Sequence, residues 1–285
     1  MREIAQKPLI LDGALGTELE RRGFHCRLPL WSAWALIEAP DLVRRIHMDY
    51  ILAGANVITT ATFRTTRYAL ASEGWANRAG ELTRLALRLA REAVDQAETD
   101  REILVAGSMA PLEDCYKAEL TPEDNVLERE HRDHAENLLS AGADLLLVET
   151  QNSRREAVIA TKAALATGLP VWTSLMPRSA TEMFNGDSLP ETAKEIAQSG
   201  VDALLFNCCT LKIAAQAFAV LRSELPAMKL GIYPNDLEGK VSPELFADWG
   251  SQFKHEASII GGCCGIGPDH IGKLAQQLGG KSKQL

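Results

Sequence analysis

The chain has 285 residues, 46% hydrophobic and 24% charged, a mixture that excludes wholesale disorder. Thirty Lys plus Arg against 38 Asp plus Glu give a formal net charge of −8, which argues against a nucleic-acid-binding surface. No apolar run approaches the ~20 residues of a membrane helix. The opening Met1-Arg2-Glu3-Ile4-Ala5-Gln6-Lys7-Pro8 lacks the apolar core of a secretory signal, so the expected compartment is the cytoplasm. The six cysteines are too sparse for a disulfide framework and read as buried, metal-bound or catalytic.

Along the chain a short apolar, β-branched run recurs, each followed by a helical stretch. The runs are Pro8–Leu11, Asn56–Thr60, Ile103–Ala106, Asp144–Val148, Val171–Leu175, Ala203–Phe206, Leu230–Tyr233 and Ser258–Ile260. They are continuous rather than alternating, the pattern of parallel strands buried on both faces. Between them, Leu82, Leu85, Ala86 and Leu89 mark the apolar stripe of a helix, with Arg84, Arg88 and Arg91 on its other faces. Thr121-Pro122-Glu123-Asp124 predicts a helix start capped by Thr121, and Ser242-Pro243-Glu244 predicts another. Gly142, Gly168 and Gly200 fall where helices stop just before strands. His131 and His134, set among Glu128, Arg129, Glu130, Arg132 and Asp133, are expected on a solvated helix face. No linker or low-complexity segment divides the chain. The expected fold is therefore α/β, a single (β/α)8 TIM barrel over residues 1–285, rather than an open doubly wound sheet, which needs fewer strands.

In that fold the active site lies at the C-terminal ends of the strands. The residues that follow the runs are Asp12-Gly13, Thr59-Thr60, Gly107-Ser108, Glu149-Thr150, Asn207-Cys208-Cys209, Tyr233-Pro234-Asn235 and Gly261-Gly262-Cys263-Cys264-Gly265. Four of the six cysteines thus gather at one rim. Glycines around Cys263 and Cys264 let the backbone turn so that both sulfurs face one point. Two thiols from the eighth strand and one from the sixth make the three protein ligands of a catalytic zinc site with an open fourth position. Either Cys208 or Cys209 could be the third, since successive strand residues point to opposite sides. Cys26 and Cys115 read as small buried hydrophobes. Asp12 and Glu149 could bind an ammonium or act in acid–base chemistry; the competing reading is a satisfied buried carboxylate. Asn207 and Asn235 read as turn residues or as hydrogen-bonding supports. Gly265-Ile266-Gly267 lacks the third glycine of a dinucleotide-binding loop.

The same residues resemble the homocysteine S-methyltransferases, over nearly the whole chain. The resemblance is carried by Asp12-Gly13-Ala14-Leu15-Gly16-Thr17-Glu18, Leu30-Trp31-Ser32-Ala33, Gly54-Ala55-Asn56-Val57-Ile58-Thr59-Thr60, Glu149-Thr150, Asn207-Cys208, Tyr233-Pro234-Asn235 and Gly261-Gly262-Cys263-Cys264-Gly265, in the family's order. It implies a Zn2+ barrel with Cys208, Cys263 and Cys264 as ligands, and favours Cys208 over Cys209 because the family's ligand directly follows the Asn. Asp12 and Glu149 then correspond to acids that bind the amino-acid substrate, with backbone near Gly13. The expected substrate-binding set is Asp12, Gly13, Thr60, Glu149, Asn207, Tyr233 and Asn235. The chain departs from the family at Phe206, at Cys209, at Asp236-Leu237-Glu238 and in a shortened loop over Ala110–Cys115. None of these touches the three thiols.

The expected reaction is methyl transfer from a small onium donor to homocysteine, giving methionine. S-methylmethionine or S-adenosylmethionine is favoured over betaine, because a neutral thioether leaves more readily than an amine. Trp31, Trp34, Phe63, Phe184 and Tyr233 offer ring faces to an onium cation. Chain length predicts no built-in folate or corrinoid module. Two rival expectations are a zinc lyase or hydrolase and a closed, non-catalytic site completed by Cys209. The implied partners are small molecules, homocysteine and a methyl donor, and a homo-oligomer is compatible with the sequence.

Overall fold

The computed structural model describes residues 7–279. The N-terminal segment Met1–Gln6 and the last six residues of the expected 1–285 domain lie outside them. Eight strands form one sheet: β1 (Leu9–Ile10), β2 (Val57–Thr59), β3 (Leu104–Met109), β4 (Leu145–Gln151), β5 (Val171–Leu175), β6 (Ala203–Asn207), β7 (Leu230–Tyr233) and β8 (Ile259–Ile260). Every pairing is parallel, in the order β1-β8-β7-β6-β5-β4-β3-β2. A parallel bridge from Leu11 to Val57, with Asp12 N donating to Val57 O at 3.0 Å, closes β1 onto β2. This is the (β/α)8 barrel that the recurring apolar runs predict. No helix among the described residues is long and apolar enough to cross a membrane.

The continuous apolar runs are explained by burial on two sides. Inward residues such as Leu11, Val57, Leu147, Trp172, Leu205 and Ile259 fill the barrel interior. Outward residues such as Ile58, Val105, Leu146, Leu204 and Ile232 pack under the helices. On the helix Ala79–Gln96, Leu82, Ala86 and Leu89 are buried, while Arg91 reaches Asp144 at 2.7 Å. Gly142, Gly168 and Gly200 all take positive φ (88°, 77° and 93°) at helix ends, as their positions predicted. Ser242 caps the helix Pro243–Ser251 through Leu245 N at 3.2 Å.

Two expectations fail. The helix announced by Thr121 starts later, over Asp124–Ser140, with Glu123 at its N-cap. Thr121 instead closes the short 3-10 turn Ala118–Leu120, and its carbonyl accepts from Arg155 Nη2 at 3.1 Å. His131 and His134 are buried, not solvated. They continue the inner face marked by Leu127 and Leu138, at spacings of four, three and four residues. Glu128, Arg129 and Arg132 turn outward, while Glu130 is buried and accepts from Tyr68 N at 2.9 Å. His131 Nε2 meets Glu156 Oε1 at 3.0 Å, and His134 Nε2 donates to Ser108 O at 3.0 Å. A helix face can accept imidazoles when its neighbours offer polar partners, here Glu156 on the helix Arg154–Leu165 and Ser108 on β3.

Burial also governs how the fold responds to acid. It pushes the pKa of His47 and His134 down to about 4 from the usual 6.5, so both are neutral in the folded chain. The unfolded chain binds protons there first, so stability is full above the unfolded pKa and falls as pH drops from about 6.5 towards 4. At pH 5 each contributes a loss of about 2 kcal/mol. Neither ring nitrogen of His47 has a partner. His47→Leu is therefore expected to lose less stability than the parent between pH 7 and pH 5, by about that amount. Urea midpoints at the two pH values check this; identical losses would contradict it.

Candidate active site

β8 runs directly into Gly261-Gly262-Cys263-Cys264-Gly265. A side chain at Gly261 would sit 2.6 Å from Leu11 Cβ, and one at Gly265, where φ is +84°, would sit 2.0 Å from Asp236 O. Only glycine allows this tight passage across the barrel mouth. β6 ends at Asn207, and Cys208 then takes a left-handed φ of 52°. That reversal brings Cys208 Sγ to 3.2 Å from Cys263 Sγ. With Cys264, the three sulfurs lie within 4.8 Å of one another, the one such group of potential metal ligands among the described residues. Cys209 is buried outside the trio.

The donor set fits a soft divalent metal. Three crowded thiols cannot all ionise without a cation. Cys264, receiving hydrogen bonds from Cys208 and Cys263, is held well below the usual thiol range. Cys208, bonded to both neighbours, is pushed well above it. Asn207 Nδ2 approaches Cys263 Sγ at 3.8 Å and so orients one sulfur from behind.

The trio borders a cavity of about 290 Å³ at the C-terminal mouth of the barrel, also lined by Asp12, Gly13, Thr60, Glu149 and Tyr233. Glu149 is buried, receives the Ser108 hydroxyl, and has its pKa pushed up to about 8 by burial. Burial also raises the Asp12 carboxyl well above its usual range, against hydrogen bonds from Thr59 N (2.7 Å) and Thr59 Oγ1 (3.0 Å). Two carboxyl groups that are costly to ionise alone, in one cavity, suit a cationic ligand. Gly13 is set where a Cβ would lie 2.1 Å from Ile266 O, a carbonyl that the Tyr50 hydroxyl also reaches at 3.1 Å. Gly13→Ala is thus expected to lower stability by about 2 kcal/mol or more and to displace the loop beside Asp12. An unchanged melting temperature would contradict that packing.

Asn207 and Asn235 do not line the cavity. Asn207 is fully buried, accepts from Thr150 N (3.1 Å) and Ser174 Oγ (2.8 Å), and donates to Thr150 Oγ1 (2.7 Å). It thereby supports Thr150 in a left-handed φ of 59°. Asn235 N donates to Cys209 O at 2.9 Å, tying the loop after β7 to the loop after β6. Of the five aromatic residues expected near the rim, Trp31, Phe63 and Tyr233 line the cavity. Trp34 packs edge-on against Trp75 with centroids 5.1 Å apart, and Phe184 lies behind Tyr116 at 5.7 Å.

Sequence reasoning did not single out Arg64 or Tyr116, and read Cys115 only as a buried hydrophobe; all three line the cavity. The loop after β3 brings Cys115 and Tyr116 there. It is held by Glu156 Oε1 accepting from Leu112 N (2.8 Å) and Asn152 Nδ2 donating to Cys115 O (3.0 Å). These anchors come from distant β4–helix residues, so local pattern carries no signal for them. Trp31, Thr150 and Cys208 take positive φ without being glycine, and all three line the cavity. Such strain clusters at functional sites.

A family model described as homocysteine S-methyltransferase matches residues 9–278. The chain is 34% identical to the homocysteine S-methyltransferase of Escherichia coli (strain K12), with 94% of each covered. It is 28% identical to a selenocysteine methyltransferase of Astragalus bisulcatus, covering 94% of this chain and 91% of that one. Among solved structures, the homocysteine methyltransferase MmuM of Escherichia coli superposes in its oxidized form with a TM-score of 0.87 at 33% identity, covering 95% of this chain and 96% of that one. Its metallated form gives 0.83, at the same identity and coverage. With the barrel, the thiol trio and a match across nearly its full length, the chain belongs to the homocysteine S-methyltransferase family.

Proposed function

We propose that this chain is a zinc-dependent enzyme that moves a methyl group from a sulfonium donor, S-methylmethionine foremost, to the thiol of homocysteine. The observation that carries the proposal is the convergence of Cys208, Cys263 and Cys264 on a cavity that also holds the buried Glu149. Zinc bound by these three thiols supplies deprotonation of the acceptor thiol, which is mostly protonated on its own at neutral pH. Glu149 and Asp12 hold the acceptor's ammonium, and that contact draws both carboxyls into the ionised form. Trp31, Phe63 and Tyr233 offer π faces to the donor's positive charge. Transfer forms one S–C bond and breaks another, so the acceptor becomes a thioether and the sulfonium departs as a neutral thioether. No general acid is needed. What the residues supply is orientation and the exclusion of water.

Three thiolates suit a soft sulfur nucleophile better than activation of water or a carbonyl, which sets aside a lyase or hydrolase. The selenocysteine methyltransferase relative supports a second acceptor of the same softness, a selenol, at the same residues. The test supplies zinc-replete protein with homocysteine and, in turn, S-methylmethionine, S-adenosylmethionine, betaine and dimethylsulfoniopropionate, and measures methionine. Turnover is expected with a sulfonium, fastest with S-methylmethionine. Methionine from betaine alone would overturn the donor assignment, and none from any donor would overturn the function.

A further inference from the structure

Arg64 lies in the loop after β2 and lines the cavity, yet it is only 6% exposed. Nη1 donates to Leu112 O at 2.9 Å, and Nε has no hydrogen-bond partner. Among the described residues no carboxylate lies within ion-pairing distance of the guanidinium. The acids around it are engaged elsewhere. Glu113 accepts from the Tyr68 hydroxyl at 2.8 Å, Asp114 from Tyr116 N at 3.0 Å, and Glu156 from Leu112 N at 2.8 Å. Burial lowers the guanidinium pKa from its usual value, and those acids, with Cys115, act against the shift. Arginine stays charged in proteins. A buried cation facing a binding cavity with donors to spare is stabilised by an anion that arrives with the ligand.

We propose that Arg64 is the receptor for the α-carboxylate of an amino-acid substrate in this cavity, a specificity role that rests on the proposed function. Glu149 and Asp12 meet the positive end of such a substrate and Arg64 its negative end, so the cavity selects zwitterions over simple onium cations. The carboxylate can come from the acceptor or the donor, and binding separates the two sources.

Dissociation constants are measured, by calorimetry or by the fluorescence of the cavity tryptophan Trp31, for two pairs of ligands. Homocysteine is paired with 3-aminopropanethiol, and S-methylmethionine with (3-aminopropyl)dimethylsulfonium, each partner lacking only the carboxylate. The parent protein is expected to prefer the carboxylate-bearing member of at least one pair. Arg64→Gln should weaken that member roughly 10- to 100-fold and its decarboxylated partner by less than about 2-fold. A selective effect in the homocysteine pair assigns the carboxylate to the acceptor; one in the sulfonium pair assigns it to the donor. Equal weakening within both pairs would mean that Arg64 only anchors the loop through Leu112, and would overturn the proposal. So would a parent protein with no preference in either pair, a result that does not depend on the variant folding. Because binding is read without turnover, loss of the methyl-transfer activity and loss of the carboxylate preference are separate outcomes.

Discussion

Cys263→Ala and Cys264→Ala proteins are expected to purify without stoichiometric zinc and to form methionine more than ~100-fold more slowly than the parent. An outer partner of a metal ligand is already worth about 10- to 100-fold in affinity or activity, and a direct ligand exceeds that. The loss should fall on the trio alone. Cys208→Ala is expected to behave like the other two, because its left-handed backbone aims the sulfur at Cys263. Cys26→Ala should keep its zinc, since Cys26 is a buried thiol near Gly16 O whose pKa burial pushes up to about 12. Cys115→Ala should also keep its zinc, although Cys115 lines the cavity. Metal content by mass spectrometry of each variant gives the answer. Full zinc in Cys263→Ala or Cys264→Ala would remove the metal site; full zinc in Cys208→Ala would move the third ligand to Cys209.

Glu149→Gln is expected to raise the Michaelis constant for homocysteine about 10- to 100-fold while leaving zinc content and melting temperature near the parent's. A charge-assisted contact to an ammonium is worth about 1.5–3 kcal/mol, which sets that range. The amide keeps the size of the side chain and can still accept from Ser108. Charge on the carboxylate is what disappears. Steady-state kinetics at saturating donor separates the outcomes: an unchanged Michaelis constant and rate would sink the binding role. Loss of folding would identify Glu149 as a structural partner of Ser108 instead.

The barrel was legible in the sequence because a strand buried on both faces must be apolar throughout, and eight such runs leave little choice of topology. Gly142, Gly168 and Gly200 announced helix ends because only glycine enters a positive φ there without cost. The pair Cys263-Cys264 was legible through its glycines, whereas Cys208 was favoured over Cys209 only by the family resemblance. Gly261, Gly262 and Gly265 have no other use than a tight crossing at a strand end. What stayed hidden depends on contacts remote in sequence. His131 and His134 look solvated beside their charged neighbours, and become core residues only because Glu156 and Ser108 wait beneath them. The role of Arg64 is invisible until the loop after β3 folds over and Leu112 takes one of its donors. Thr121 resembles a cap, yet the 3-10 turn before it takes precedence.

The most direct measurement is zinc-edge X-ray absorption on zinc-loaded protein, before and after adding homocysteine. The sulfur count should rise from three to four when homocysteine is added, as expected of an open site whose last position receives the substrate thiolate. Four sulfurs already present without substrate, or a count that homocysteine leaves unchanged, would contradict an open, thiol-activating metal centre.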